Sequence, residues 1–400
     1  MKSVYVCDYT RTPIGRYGGA LSSVRPDDLA ARVLGALLDR HPNLDSRSID
    51  EVVLGCANQA GEDNRNVARM ASLIAGIDQS VPALTVNRLC ASGMDAVIIG
   101  ARAIKTGDAD LVLTGGVESM SRAPIVMAKA TQAFERATEV FDTTIGWRFV
   151  NPTLHAQYGT DSMPETAENV ASQFGISRAD QDAFAFSSQI RAASAIENGR
   201  LAAEITPVTV PQRRSDDVIV STDEHPRSTS LERLAALPTP FRDGGSVTAG
   251  NASGVNDGAA ALLLASEDAV AAHGLTPLAE ITGAASAGVE PRIMGIGPIA
   301  AAEKAAQKAG IAVADFDLIE LNEAFASQSL AVLRHFGISD NATHVNPNGG
   351  AIALGHPLGM SGARLIGSAA HDLSNSSAST AVAMLCVGVG QGVATTLSAV

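Results

Sequence analysis

No run of lysine or arginine interrupts this 400-residue sequence, and its formal net charge is −13. Such a surface argues against nucleic acid or an anionic membrane as the main partner. No apolar stretch approaches the roughly 20 residues that span a bilayer, so no membrane is expected. Met1 to Arg11 lacks the charged, apolar, small-residue order of an export signal and reads as a strand through Val4 and Val6. Close CxxC spacing is also absent: Cys7, Cys56, Cys90 and Cys386 lie far apart. That removes the common metal and redox motifs, and no metal is expected. It points to reduced thiols in a cytosolic protein, at least one of them reactive.

What is present fits a compact enzyme, 46% apolar and 18% charged. Its length suits two packed domains, or two halves of a duplicated one. The 37 glycines fall in clusters rather than at a fixed period, as tight turns and close backbone approaches at a site require.

Short apolar runs alternate with helical patterns, which predicts an α/β layered fold. Pro26 to Arg40 places Leu29, Val33, Leu34, Leu37 and Leu38 on one helical face. A strand at Val52–Leu54 follows, then one at Ala83–Val86 that runs into Cys90 and a helix stopped by Gly107. Asp110–Thr114 is the next buried strand. The second half repeats this order: a helix Pro298–Ala309 stopped by Gly310, a strand Leu318–Leu321, and a short strand near His344–Val345. A glycine-rich turn with His356, a helix through Leu365 and Ile366, and a strand Ala381–Leu385 ending at Cys386 complete it. Asp50 to Cys90 spans 40 positions and Asp317 to His356 spans 39, which favours an internal duplication with both residues at equivalent turns. Between the halves, about Ser121 to Ser246 is polar and loop-rich with helices at Glu165–Phe174 and Arg178–Asn198, as in a lid or binding subdomain. The expected division is 1–120 with 247–272, an insertion 121–246, and 273–400.

Cys90 lies where a strand ends and a helix begins, a place where backbone N–H groups and the helix dipole lower a thiol pKa. A thiolate is the nucleophile for acyl transfer, although a cysteine at such a junction also serves as packing. His356 sits within Asn348-Gly349-Gly350-Ala351-Ile352-Ala353-Leu354-Gly355-His356-Pro357-Leu358-Gly359, a backbone folded tightly enough to aim an imidazole inward. His41, His225, His273 and His371 read as structural or surface residues. Cys386 leads into Gly388-Val389-Gly390-Gln391-Gly392, whose spacing and position argue against a nicotinamide site. That run reads as a bend that presents the cysteine and leaves N–H groups free as an oxyanion hole.

Taken together, these segments closely resemble the thiolase family. The matching motifs are Asn87-Arg88-Leu89-Cys90-Ala91-Ser92-Gly93, Gly115-Gly116-Val117-Glu118-Ser119-Met120-Ser121, Thr248-Ala249-Gly250-Asn251-Ala252-Ser253-Gly254, Asn322-Glu323-Ala324-Phe325-Ala326, the His356 turn and Cys386-Val387-Gly388. They begin at Arg11-Thr12-Pro13 and cover the whole chain.

The resemblance implies a thiolase fold of duplicated βαβαβαββ halves in αβαβα layers. It implies Cys90 as nucleophile and acyl carrier, His356 as the base that takes its proton, and Cys386 as the group exchanging a proton with the α-carbon. One oxyanion hole would be His356 with a water on Asn322; the other, the N–H groups of Cys90 and Gly388. No cofactor is permanently bound; coenzyme A is the co-substrate. By the same resemblance Ser253 and Ala249 face the pantetheine, Arg227 and Phe241 flank the nucleotide, and Met163, Met294, Ala324 and Phe325 line the tunnel. A homodimer or homotetramer is expected.

Many biosynthetic members carry a His just before Met163, where this chain has Ser162, and Asn-Val-Asn-Gly-Gly is replaced by Val345-Asn346-Pro347-Asn348-Gly349-Gly350. Both departures speak against an acetoacetyl-CoA thiolase. Gly55 to Arg69 and Asp142 to Phe149 look like the 3-oxoadipyl-CoA thiolases of bacterial aromatic degradation. A substrate ending in a carboxylate needs a cation or strong donors, for which Arg148 is the first candidate and Arg65 the second. A general 3-ketoacyl-CoA or acetoacetyl-CoA thiolase of fatty-acid metabolism is the alternative. A ketoacyl-synthase-type condensing enzyme shares the fold but lacks a second catalytic cysteine, and a non-catalytic acyl-binding relative could dispense with Cys90 or His356.

Overall fold

The computed structural model describes residues 1–400. Ten of its strands form one sheet that folds around paired helices, the tenth being the two-residue strand Gly15–Arg16 against Asn256–Ala265. At the middle, Tyr5–Arg11 meets Ala279–Gly288 through only two residue pairs, Tyr5 with Glu280 and Val6 with Ala279. Outward from Tyr5–Arg11 run Asn256–Ala265, Leu111–Ser119, Glu51–Gly55 and Ala83–Val86. Outward from Ala279–Gly288 run Gln391–Ser398, Thr380–Val387 and Leu318–Leu321. In both directions the inner pairings are antiparallel and the outer ones parallel, as a duplicated unit gives. The strand expected near His344–Val345 is a single parallel bridge from Ile319 to Val345.

Strand alternation sorts the apolar side chains into three cores. Val52, Leu54, Leu111 and Leu113 face one side, where helices Pro26–Arg40 and Val67–Ile74 cover them. Val53 and Val112 face the other side, against helices Ser92–Thr106 and Leu358–Ser374. Ala381, Ala383 and Leu385 enter that middle core from the second half, while Val382 and Met384 point outward. There they meet helices Gly297–Ala309 and Ala326–His335. The order is helix, sheet, helix, sheet, helix, so the strands are buried on both faces and read as continuous apolar runs.

The helix stops at Gly107 (φ 83°) and Gly310 (φ 72°) are left-handed C-caps. Two strands outlast their sequence expectation: Leu111–Ser119 continues past Thr114, and Thr380–Val387 carries Cys386 inside it. Apolar runs mark only the buried centre of a strand, whereas the ladder continues as long as a partner does.

The region between Ser119 and Asn256 holds two small hairpins, Ile125–Met127 with Val140–Asp142 and Val208–Val210 with Val218–Val220. It also holds four helices, among them Met163–Phe174 and Arg178–Glu197. It is tied to the sheet by buried ion pairs. Arg11 donates to Glu204 (2.6 Å) and twice to Asp223 (2.6 and 2.8 Å), while Arg200 bridges Glu204 (2.9 Å) and Asp372 (2.6 Å). Arg11→Met leaves two buried carboxylates short of a cation. It is expected to cost about 3–5 kcal/mol, read as a lowered midpoint in chemical denaturation.

Candidate active site

Asn87 to Ala91 turns sharply between the strand Ala83–Val86 and the helix Ser92–Thr106. Leu89 takes φ 47°, and a 3₁₀ turn over Leu89–Ala91 leads into the helix. The N–H groups freed by the turn find side chains: Leu89 donates to Asn87 Oδ1 (2.8 Å) and Arg88 to Ser92 Oγ (2.9 Å). Cys90 is thereby presented, half-buried, to a cavity of about 450 Å³ that it lines with Glu118, Arg148, Met163, Leu358 and Gly388. Facing it is the hairpin turn after Thr380–Val387, where Val389 (φ 63°) and Gly390 (φ 79°) are both left-handed. Leu89, Phe149 and Val389, three of the eight non-glycine residues with positive φ, line this one cavity. Backbone strain of this kind concentrates where side chains are aimed at a site.

The thiol of Cys90 departs from its sequence expectation. Burial pushes its pKa up to about 11, more than the N–H groups of Gly388 and of Cys90 itself pull it down, with the charge of Glu118 adding to the rise. The junction supplies donors, but desolvation outweighs them. The resting sulfur is a thiol, and a base must take its proton. Cys386 is 1% exposed within an apolar cluster with Met294, Ala324 and Phe325, against which Met163 packs. Burial, then the nearby charge of Cys90, raises its pKa as well.

His356 follows the helix Ala351–Leu354 and Gly355, whose φ of 105° suits glycine and whose Cβ would strike Asn256. The His356 N–H donates to Asn256 Oδ1 (3.0 Å). Its Nδ1 lies 2.6 Å from Ser361 Oγ, and Ser361 Oγ donates its one proton to the Pro357 carbonyl (2.7 Å). Nδ1 must therefore carry the hydrogen, which leaves Nε2 as the unprotonated, accepting nitrogen. Nε2 lies 3.4 Å from Asn322 Nδ2. Burial, reinforced by the charge of Arg364, lowers the imidazole pKa to about 4, so it is neutral at neutral pH. A neutral imidazole whose unprotonated Nε2 meets only this long amide contact can accept a proton.

The Cys90 and His356 turns approach across a glycine seam. A Cβ on Gly93 or Gly116 would collide with the Gly359 carbonyl, and one on Gly359 with that of Val117. Glycine at these positions lets the N-terminus of helix Leu358–Ser374 touch helix Ser92–Thr106 and the strand Leu111–Ser119.

Other anticipated residues are distributed around this centre. Arg148 lines the Cys90 cavity and makes no hydrogen bond or ion pair with another residue; it is the only Lys or Arg on that lining. Arg65, the second candidate cation, does not reach it. It stands on a separate surface depression with Arg25 and Arg122, because the loop from Gln59 turns outward through left-handed Gln59, Arg65 and Asn66. Ser253 is half-buried, and its N–H donates to the Ala324 carbonyl (2.9 Å). Ala249 and Phe241 are exposed, and Arg227 Nη2 donates to the Ala249 carbonyl (3.2 Å). Of the expected tunnel residues only Met163 lines the cavity itself; Met294, Ala324 and Phe325 are buried beside Cys386.

The thiolase N-terminal domain family matches residues 4–268, and the thiolase C-terminal domain family matches residues 275–399. The chain belongs to the thiolase family. It is 61% identical over 401 residues, 100% of each chain, to the 3-oxoadipyl-CoA/3-oxo-5,6-dehydrosuberyl-CoA thiolase of Escherichia coli K12. The crystal structure of Bacillus anthracis acetyl-CoA acetyltransferase superposes with a TM-score of 0.93 at 41% identity, covering 100% of this chain and 99% of that one. Human mitochondrial 3-ketoacyl-CoA thiolase in complex with CoA gives a TM-score of 0.91 at 39% identity, covering 100% and 98%.

Three polar residues of this thiolase site escaped the residue-by-residue reading. Ser361 fixes the imidazole tautomer, Asn256 holds the His356 backbone, and Glu118 borders the cavity. Ser361 was findable as a serine one helical turn past His356; Asn256 and Glu118 act across long sequence separations. Cys56, Asp63 and Glu118 have ligand atoms within 4.8 Å of one another. Their oxygens already accept hydrogen bonds: Asp63 from Gly61 N–H and the Cys56 thiol, Glu118 from three backbone N–H groups.

Proposed function

We propose that this thiolase cleaves 3-oxoacyl-CoA thioesters whose acyl chain ends in a carboxylate, 3-oxoadipyl-CoA foremost, giving succinyl-CoA and acetyl-CoA. The observation that carries this reading is Arg148, an unpaired guanidinium on the same cavity as Cys90. The E. coli relative named for two dicarboxylic substrates supports it, and in this reading the reaction belongs to aromatic-compound degradation.

In this reading Cys90 gives its proton to His356 Nε2 as sulfur attacks the 3-keto carbon. The N–H groups of Cys90 and Gly388 hold the developing oxyanion. The C2–C3 bond then breaks, and acetyl-CoA leaves as an enolate. His356, now carrying hydrogen on Nε2, donates to the enolate oxygen together with a water on Asn322, whose buried Oδ1 takes no donor from the protein. Cys386 protonates the α-carbon. Its raised pKa suits exchange with a weak carbon acid. His356 then returns its proton to Cys386; as CoA thiol attacks the acyl group on Cys90, its proton passes to His356 and from there to the departing Cys90 sulfur.

Residues 121–246 supply the CoA-binding subdomain between halves 1–120 with 247–272 and 273–400. Ser253 and Ala249 face the pantetheine, and Arg227 and Phe241 the nucleotide. CoA is a co-substrate rather than a resident cofactor. The enzyme is a cytosolic homodimer or homotetramer. Its four cysteines are unpaired, and exposed Leu73, Ile74 and Leu84 adjoin the free edge strand Ala83–Val86.

Arg148→Ala is expected to cut kcat/KM on 3-oxoadipyl-CoA relative to 3-oxohexanoyl-CoA by about 10- to 100-fold, the loss of one charge-assisted hydrogen bond. An unchanged ratio removes Arg148 from the carboxylate site. Equal wild-type rates on both substrates would make the enzyme a general 3-ketoacyl-CoA thiolase.

A further inference from the structure

We propose that Glu118 is a positioning residue that clamps the His356 turn to the Cys90 cavity, and that it releases this clamp on taking up a proton. This rests on Cys90 and His356 acting as described above. Glu118 is the penultimate residue of the strand Leu111–Ser119 and is buried. Its Oε2 accepts the N–H groups of Ala57 (3.0 Å) and Gly359 (2.9 Å), and its Oε1 accepts that of Asn58 (3.1 Å). Gly359 lies in the first turn of helix Leu358–Ser374, which has no side-chain cap of its own. Glu118 therefore caps, from the first half of the chain, the helix that begins directly after His356. Ala57 and Asn58 belong to the loop on the other side of the carboxylate and line the Cys90 cavity. One side chain thus joins three segments that converge on the site.

Three N–H donors need an acceptor-only group. A carboxylate meets that need; a carboxylic acid turns one oxygen into a donor that opposes an N–H. The titratable neighbours are Asp63 and the Cys56 thiol behind Glu118, with the Cys90 thiol across the cavity. Burial, partly offset by the three N–H groups, raises the Glu118 pKa to about 7, with the charge of Asp63 adding to the rise. The carboxylate population therefore falls as pH drops through about 7. His356, held near 4, and Cys90, pushed up to about 11, titrate well outside that window.

The test is the pH profile of kcat for thiolysis at saturating 3-oxoadipyl-CoA and CoA. Wild-type enzyme is expected to lose rate below about pH 7 with a single-proton limb. Glu118→Gln, which offers one acceptor oxygen and an amide donor, is expected to lower kcat roughly tenfold or more without that limb, at unchanged KM for CoA. Glu118→Asp is expected to retain a limb at a shifted midpoint, and serves as the comparison if the glutamine variant does not fold. A wild-type profile flat through pH 7, or the same limb persisting in Glu118→Gln, or unmoved in Glu118→Asp, overturns the proposal. Thiolysis surviving in Cys90→Ala would instead overturn the mechanism on which it rests.

Discussion

Cys90→Ala is expected to lower kcat for thiolysis by at least ~10⁴-fold, leaving the fold and CoA binding intact. The size follows from what the sulfur does. In the proposed mechanism it makes the bond to the 3-keto carbon and holds the acyl group until CoA arrives, so its loss removes the covalent route rather than weakening it. No other thiol can take over. Cys386 is buried in an apolar cluster, and Cys7 and Cys56 are buried in the core on the outer face of the first sheet. Because Cys90 rests as a thiol, the base is as important as the nucleophile. The hydrogen-bond chain from His356 Nδ1 through Ser361 to the Pro357 carbonyl keeps Nε2 unprotonated and able to receive the proton. Residual activity within tenfold of wild type, measured as loss of 3-oxoacyl-CoA enolate absorbance on adding CoA, would refute the assignment.

Cys386→Ala is expected to slow thiolysis by about 10²–10⁴-fold, the usual weight of a general acid, while sparing a simpler reaction. Exchange of labelled CoA into acetyl-CoA passes only through acyl transfer to and from Cys90 and needs no carbon-bound proton. The variant should keep this exchange within about tenfold of wild type, since Gly388 and Cys90 still supply the N–H groups facing the sulfur. Equal loss of both reactions would place Cys386 in acyl transfer itself. The two cysteines are thus separable by experiment, although burial raises both thiol pKa values.

Periodicity made the layers legible because the strands are buried on both faces. Val52 and Leu54 belong to one core and Val53 to the next, and in the second half Val382 and Met384 stand opposite Ala381, Ala383 and Leu385. Helix stops at Gly107 and Gly310 were legible because left-handed caps favour glycine. Motifs located Cys90, His356 and Cys386 but not their electrostatics. The rise of the Cys90 pKa depends on how deeply the assembled halves enclose it, which no local turn encodes. Glu118 stood in a matched motif, but its role was hidden for a similar reason: its acceptor oxygens join positions 57, 58 and 359, far from it in sequence. Arg65 misled because a basic residue in a matching motif says nothing about direction. Its left-handed backbone turns it toward another surface.

The central claim is that Cys90 carries the acyl group. The direct measurement is mass spectrometry of enzyme mixed with 3-oxoadipyl-CoA in the absence of CoA, followed by digestion. The expected result is one succinyl group on the peptide containing Cys90, discharged on adding CoA. An enzyme that turns over yet carries no adduct, or carries it on Cys386, would contradict the account.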